Sequence, residues 1–130
     1  MSDTRSEQRK SHWRFLDLEV WQAAADLAVE FHRVAQSLDK RRLFRYADQL
    51  RAAGLSVANN IAEGSGSPHL AEFRQFLNIG RRSLFETASM VLVFQRLDLL
   101  TAPEAEHLLE RADKLSRQLY LLMDRQVAKR

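Results

Sequence analysis

The chain has 130 residues, of which 45% are hydrophobic and 28% charged. This size and composition fit one folded, soluble domain and exclude a polar disordered chain. Only 4 glycines and 2 prolines are present, too few for the frequent turns of a β-sandwich or barrel, so the composition favours an all-α fold. Because cysteine is absent, disulfides, a thiolate nucleophile and cysteine-ligated metal centres are excluded.

The amino-terminal segment, residues 1–16, is polar and carries charges of both signs, unlike a secretory signal. We expect it to form a flexible arm ahead of a helical bundle that spans residues 17–130. No apolar run approaches the roughly 20 residues that a membrane span needs. The sequence therefore predicts a cytoplasmic protein with no membrane partner.

Four heptad-spaced apolar stripes follow one another along the rest of the chain. They predict four helices, over about 17–38, 43–63, 68–97 and 102–127. Because the connections are short, neighbouring helices are expected to run antiparallel, as an up-down-up-down four-helix bundle.

Several residues have the chemistry of helix ends. Asp17 is the expected N-cap of the first helix, and Gly64 the left-handed C-terminal cap of the second. Ser67 and Pro68 are expected to be the N-cap and first helical residue of the third helix, since the missing N–H of proline costs nothing there.

Two features of the apolar stripes point to packing beyond a simple bundle. Gly54 and Gly80 lie on the core stripes, where glycine costs about 1 kcal/mol relative to alanine, so we expect a close approach of two helices at each. Beyond Ser83 the third helix is apolar on nearly every side. Such a helix must be covered by something else, and self-association is the leading explanation.

The pair Glu104 and His107 has the spacing of the helical Glu-x-x-His motif of di-metal bundles. That site needs a second copy of the motif, which the sequence lacks. A capping box between Thr101 and Glu104, with a solvated His107, is the favoured interpretation. With no Gly-rich phosphate loop and no catalytic grouping, the sequence predicts neither a metal, nor a cofactor, nor an enzyme.

Charge is distributed unevenly along the chain. The net charge is +3, and 16 of the 20 basic residues are arginine, the side chain best suited to bidentate phosphate binding. Residues 40–51 carry +4 and residues 74–96 carry +3, whereas residues 98–113 carry −4. A phosphate-binding surface is one interpretation, and an ion-paired, solvated surface is the other. The candidate contacts of the first are Arg41, Arg45, Arg74 and Arg81.

Two consecutive asparagines, Asn59 and Asn60, are unusual inside a helix. They lie either in a fraying last turn or in a buried polar network in which Asn60 and Glu63 bond to a neighbouring helix or subunit. The sequence leaves both interpretations open.

Three motif blocks occur in a recognisable order: Val20-Trp21-Gln22, then Asn60-Ile61-Ala62-Glu63-Gly64, then Ser83-Leu84-x-Glu86. Together they resemble the four-helix-bundle family of large-subunit rRNA intervening-sequence proteins. The resemblance marks six structural motif residues, namely Trp21, Asn60, Glu63, Gly64, Ser83 and Glu86. It implies a bacterial bundle that assembles as a ring-like homopentamer.

The same family is similar to the accessory variability protein of diversity-generating retroelements, which binds nucleic acid and a reverse transcriptase. By this resemblance Arg51 matches a basic position of the second helix and becomes the first nucleic-acid contact candidate, followed by Arg74 and Arg81. Ala52 departs from the family, which commonly has a second arginine there.

Two hypotheses of function follow. The preferred one is a non-enzymatic homo-oligomeric adaptor that binds RNA or DNA phosphates through arginines of the second and third helices, with a reverse transcriptase as one possible protein partner. The alternative is a protein–protein interaction scaffold with no nucleic-acid role.

Overall fold

The structure is a computed structural model that describes residues 13–128. It contains four long helices: α1 (Glu19–Lys40), α2 (Phe44–Ser65), α3 (Leu70–Arg96) and α4 (Ala102–Ala128). A short 3-10 helix, Arg14–Asp17, precedes α1, and no strand occurs in residues 13–128. The predicted all-α fold with four helices is confirmed.

The start of α1 differs from the prediction. Residues 1–12 of the expected arm, residues 1–16, lie outside the described part of the chain. The last three residues of the arm belong to the 3-10 helix, and Leu16 is buried. The Phe15 ring lies 4.8 Å from the half-buried Trp21 ring. Asp17 is not the N-cap: it ends the 3-10 helix, and Leu18, in extended conformation, precedes α1.

The connection between α2 and α3 also corrects two predictions. Gly64 is not a left-handed cap but a buried residue inside α2, and no glycine in the described residues has a positive φ. The helix ends at Ser65, and its C-cap, Gly66, has φ −78°. Ser67 and Pro68 do not begin α3, which starts after His69. Instead the Ser67 hydroxyl accepts a hydrogen bond from the His69 N–H, at 3.1 Å, inside the loop.

Left-handed helix ends occur elsewhere, without glycine. Arg42 follows α1 with φ 62°, and Asp98 follows α3 with φ 58°. The next residues bond back to the helix they leave: Leu43 N donates to Leu38 O at 2.9 Å, and Leu99 N donates to Phe94 O at 2.8 Å. Each bond joins residues five positions apart and corresponds to the longer of the two hydrogen bonds in the Schellman motif.

The predicted capping box of α4 is confirmed. Thr101 N donates to Glu104 Oε1 at 3.1 Å, and Glu104 N donates to Thr101 Oγ1 at 3.3 Å. These two bonds satisfy backbone N–H groups that an uncapped helix start leaves free.

Each helix packs against the next along the chain, and α1 also contacts α4. The helices share one continuous hydrophobic core with contributions from all four. Its largest fully buried aliphatic and aromatic side chains are Phe31, Leu38, Leu50, Ile61, Leu77, Leu84, Leu115 and Leu119. None of the helices in the described part of the chain is long and apolar enough to cross a membrane.

Glycines bring α2 close to both neighbours, as predicted for Gly54 and Gly80. A Cβ added at Gly54 would lie 2.9 Å from Phe31 Cδ2 of α1. One added at Gly80 of α3 would lie 3.3 Å from the Val57 carbonyl oxygen. Gly64, which the sequence suggested as a cap, belongs to the same group, since its added Cβ would lie 2.6 Å from Phe76 Cβ. A larger residue at any of these positions would require its neighbour on the facing helix to shift.

This packing predicts opposite responses at two neighbouring glycines. Gly64→Ala forces a methyl group against Phe76 and should lower the free energy of unfolding by about 1–3 kcal/mol, as overpacking of a core does. Gly66→Ala is the control, because its added Cβ meets only the Glu63 carbonyl oxygen at 3.4 Å, and it should be neutral or stabilise by up to about 1 kcal/mol. Urea denaturation measures both, and equal stabilities would contradict the close packing at Gly64.

Candidate nucleic-acid interface

The five arginines proposed from the sequence lie in three different environments. Arg41 and Arg45 are exposed at the connection between α1 and α2. Arg51 faces α1, where it is ion-paired. Arg74 and Arg81 lie seven residues apart on α3, so they share one face of that helix, and Arg81 contacts α4. The structure therefore brings Arg74 and Arg81 to one face but does not join all five in a single contact network.

Arg51 is held by two carboxylates. Its Nη1 and Nη2 donate to the two oxygens of Asp39, at 2.8 and 3.2 Å, in a bidentate pair between α2 and α1. Nη2 also donates to Asp48 at 2.8 Å. Hydrogen bonds to Asp39 and then Asp48 raise the pKa of Arg51, and the bond from Arg51 lowers the pKa of Asp39. This side chain clamps α1 to α2, and its role as a nucleic-acid contact stays a prediction.

Arg81 is positioned differently. Its Nε donates to the Ser116 carbonyl oxygen of α4 at 3.3 Å. Its guanidinium carbon lies 5.0 Å from the Phe85 ring centroid and 5.4 Å from the Tyr120 ring centroid, both within cation–π range. Within residues 13–126 the two Nη groups donate no hydrogen bond to protein. The guanidinium is thus fixed by one bond and two rings while its remaining donors stay available.

The charged cluster around Glu30 joins α1 to α4. The Glu30 carboxylate contacts His107 Nε2 at 2.8 Å and Arg111 Nη1 at 2.7 Å. His107 is thus paired rather than simply solvated, and Glu104 serves as a cap. No group of three or more His, Cys, Asp or Glu side chains able to hold a metal occurs in the described part of the chain.

The motif residues of α2 and α3 form a polar contact between these helices. Asn60 Nδ2 donates to Ser56 O at 2.8 Å and contacts Ser56 Oγ at 3.0 Å. The Ser56 and Ser83 hydroxyls are hydrogen-bonded at 3.0 Å across the helix pair. Within this chain Ser56 makes the bond to the neighbouring helix, whereas Asn60 bonds inside α2. Glu63 and Glu86 are exposed.

Sequence reasoning missed the aromatic side chains that flank Arg81. Phe85 lies one turn after Arg81, and this i, i+4 spacing is a signal in the sequence itself. Tyr120 and Ser116 lie on a helix that is remote in sequence, and no local pattern indicates that they reach Arg81.

The fold and these motif contacts define an all-α four-helix-bundle protein with an arginine-bearing helix face. The family model of the 23S rRNA-intervening sequence protein matches residues 16–121. The chain belongs to this family. The match includes the motif blocks of α1, α2 and α3 and most of α4. No curated protein matches the chain significantly.

The Asp39–Arg51 pair predicts a specific pH dependence of stability. Because Arg51 lowers the pKa of Asp39 below its ordinary value of 3.8, the pair stabilises the folded state fully above that value. The contribution is lost as the pH falls through the lowered pKa of the folded state. Asp39→Asn should therefore lower the melting temperature at pH 7, and the difference from the original chain should shrink as the pH falls below the ordinary pKa of 3.8.

Thermal unfolding followed by circular dichroism at several pH values measures this difference. Glu110→Gln, which removes one exposed carboxylate from α4, reports the effect of charge removal. A difference between the Asp39 variant and the original chain that stays constant down to pH 2 would contradict the clamp.

Proposed function

We propose that the protein is a non-enzymatic, self-associating adaptor that binds RNA or DNA phosphates through arginines of α2 and α3. The observation that carries the proposal is the fixed Arg81 side chain, whose Nη groups have no protein acceptor within the described residues. Arginine presents planar, bidentate donors that match a phosphate group. Membership of a family whose name refers to 23S rRNA also supports an RNA context.

The contacts of the arginines rank them as phosphate ligands. Arg81 comes first and Arg74, exposed on the same face, second. Arg41 and Arg45 are exposed but belong to another part of the bundle. Arg51 comes last, because a phosphate would have to replace the carboxylates of Asp39 and Asp48.

Self-association is the second part of the proposal. Ile79 and Val93 of α3, and Leu97 directly after it, lie on one side of the helix and are each about half exposed. Exposed apolar side chains grouped in this way are typical of contact sites. We propose that copies of an antiparallel bundle join through this face, as a ring of five by the family resemblance. The short connections between helices support the antiparallel arrangement.

A protein–protein scaffold is the alternative function, favoured by the same exposed face of α3. In that case the face would bind a different protein, and a reverse transcriptase is one candidate. Two results together would support the alternative over the adaptor. The chain would keep a protein partner after nuclease treatment, and it would bind no nucleic acid.

Phosphate binding through Arg81 predicts a salt-dependent interaction. In fluorescence polarisation with a labelled structured RNA, the logarithm of the binding constant should fall linearly with the logarithm of salt concentration. Arg81→Gln should weaken binding several-fold and reduce the slope by about 1. Arg33→Gln is the matched control, because it removes one exposed positive charge from α1.

Two outcomes would count against the adaptor. Absence of binding to both RNA and duplex DNA at about 50 mM salt would overturn the proposal. Equal weakening by the Arg81 and Arg33 variants would show that only total charge matters and remove Arg81 from the interface.

Self-association through α3 predicts a difference between two equally exposed valines. Val93 on α3 and Val29 on α1 are 49% and 50% exposed. Val93→Glu places a charge in the proposed contact and should shift the mass in light scattering from a multiple of 15.1 kDa toward that of one chain. Val29→Glu should leave the mass unchanged. A single-chain mass for the original protein would contradict self-association.

A further inference from the structure

We infer that the surface formed by Arg81, Phe85 and Tyr120, together with the cavity beside it, binds single-stranded nucleic acid by stacking unpaired bases. This inference rests on the proposed function and specifies its ligand. Nucleic-acid proteins without sequence preference combine basic side chains, which follow the phosphates, with aromatic rings, on which bases stack. Both kinds of side chain lie together here.

Both rings are accessible to a ligand. Phe85 is 58% exposed and Tyr120 57% exposed, although burial of either ring would be favourable. They belong to different helices, and Arg81 contacts both. The guanidinium covers part of each ring, and the large exposed remainder is available to a flat, apolar partner such as a base.

A cavity of about 310 Å³ lies next to these rings, between α3 and α4. Its volume is at the lower end of the range for small-ligand sites. Its wall is mainly apolar, with Leu84, Ala88 and Ala112 among its residues, and it shares Phe85 and Ser116 with the Arg81 cluster. A base stacked at Phe85 therefore lies at the edge of a cleft that can receive its neighbour.

The charges around the cavity suit a polyanion. Arg74 lies two turns before Arg81 on the same face of α3, about 10 Å along the helix. The one acidic residue in the cavity wall, Asp113, is paired with Arg117 of α4. Since this pair is neutral, the cavity wall itself adds no net negative charge beside Arg81.

The site is separate from the face proposed for self-association. Successive helical residues are about 100° apart, so Arg74, Arg81 and Phe85 lie on the side of α3 next to α4. Ile79, Val93 and Leu97 lie roughly a third of a turn away. Burial of the second face in an assembly therefore does not by itself bury the first.

Binding of three labelled probes of equal length to the full chain tests the inference: an oligouridine RNA, an abasic strand with the same number of phosphates, and an RNA duplex. The oligouridine should bind at least about 10-fold more tightly than the other two, because only it offers unpaired bases. Phe85→Leu and Tyr120→Leu should each weaken oligouridine binding by about 5- to 100-fold. They should leave abasic-strand binding and the salt slope unchanged.

Tyr120→Phe is the matched control, because it keeps the ring and should keep the affinity. Equal affinities for the three probes, with unchanged binding by both leucine variants, would overturn base stacking and leave phosphate binding intact. No binding of any probe would overturn the proposed function as well. A fall in the molecular mass of the Phe85→Leu variant would identify the surface as a contact between copies and also overturn the inference.

Discussion

The close packing of α2 between α1 and α3 determines most of what the molecule presents to solvent. Gly54 lets α2 approach Phe31 of α1, while Gly64 and Gly80 let it approach α3 from both directions. Each glycine costs helix stability locally, and dense packing between helices compensates for that cost. The hydrogen bond between the Ser56 and Ser83 hydroxyls, at 3.0 Å, joins two short side chains that can meet only when the helices are this close.

This constraint also fixes the roles of the arginines. With α2 held against α1, Arg51 lies within reach of Asp39 and is used to join the two helices. With α3 held between α2 and α4, the Arg81 side chain reaches the Ser116 carbonyl oxygen and the Tyr120 ring. The two arginines look equivalent in the sequence but have different roles in the fold. Arg51 forms an ion pair between two helices, and Arg81 is an anchored hydrogen-bond donor at the surface.

Heptad spacing was enough to predict the four helices and their core, because burial of one apolar stripe per helix outweighs local preferences. Predictions from local end chemistry were less successful. The Thr101 capping box is present, whereas the prediction of a cap at Gly64 is wrong, because Gly64 packs against Phe76 of another helix. Asp39 and Tyr120 are likewise remote in sequence from the arginines they contact. The residue type marks arginines as candidate phosphate ligands, whereas tertiary contacts decide which of them have hydrogen-bond donors left for a phosphate.

Anchoring explains why Arg81 is a better ligand for phosphate than a freely moving arginine. A mobile arginine loses up to about 2 kcal/mol of side-chain conformational entropy when a ligand fixes it. In Arg81 part of this loss has already occurred on folding, through the bond to Ser116 and the contacts with two rings. Binding is therefore favoured by preorganisation rather than by the number of charges. The modest net charge of +3 is compatible with a specific nucleic-acid surface, because an anchored donor acts locally and does not depend on the charge of the whole chain.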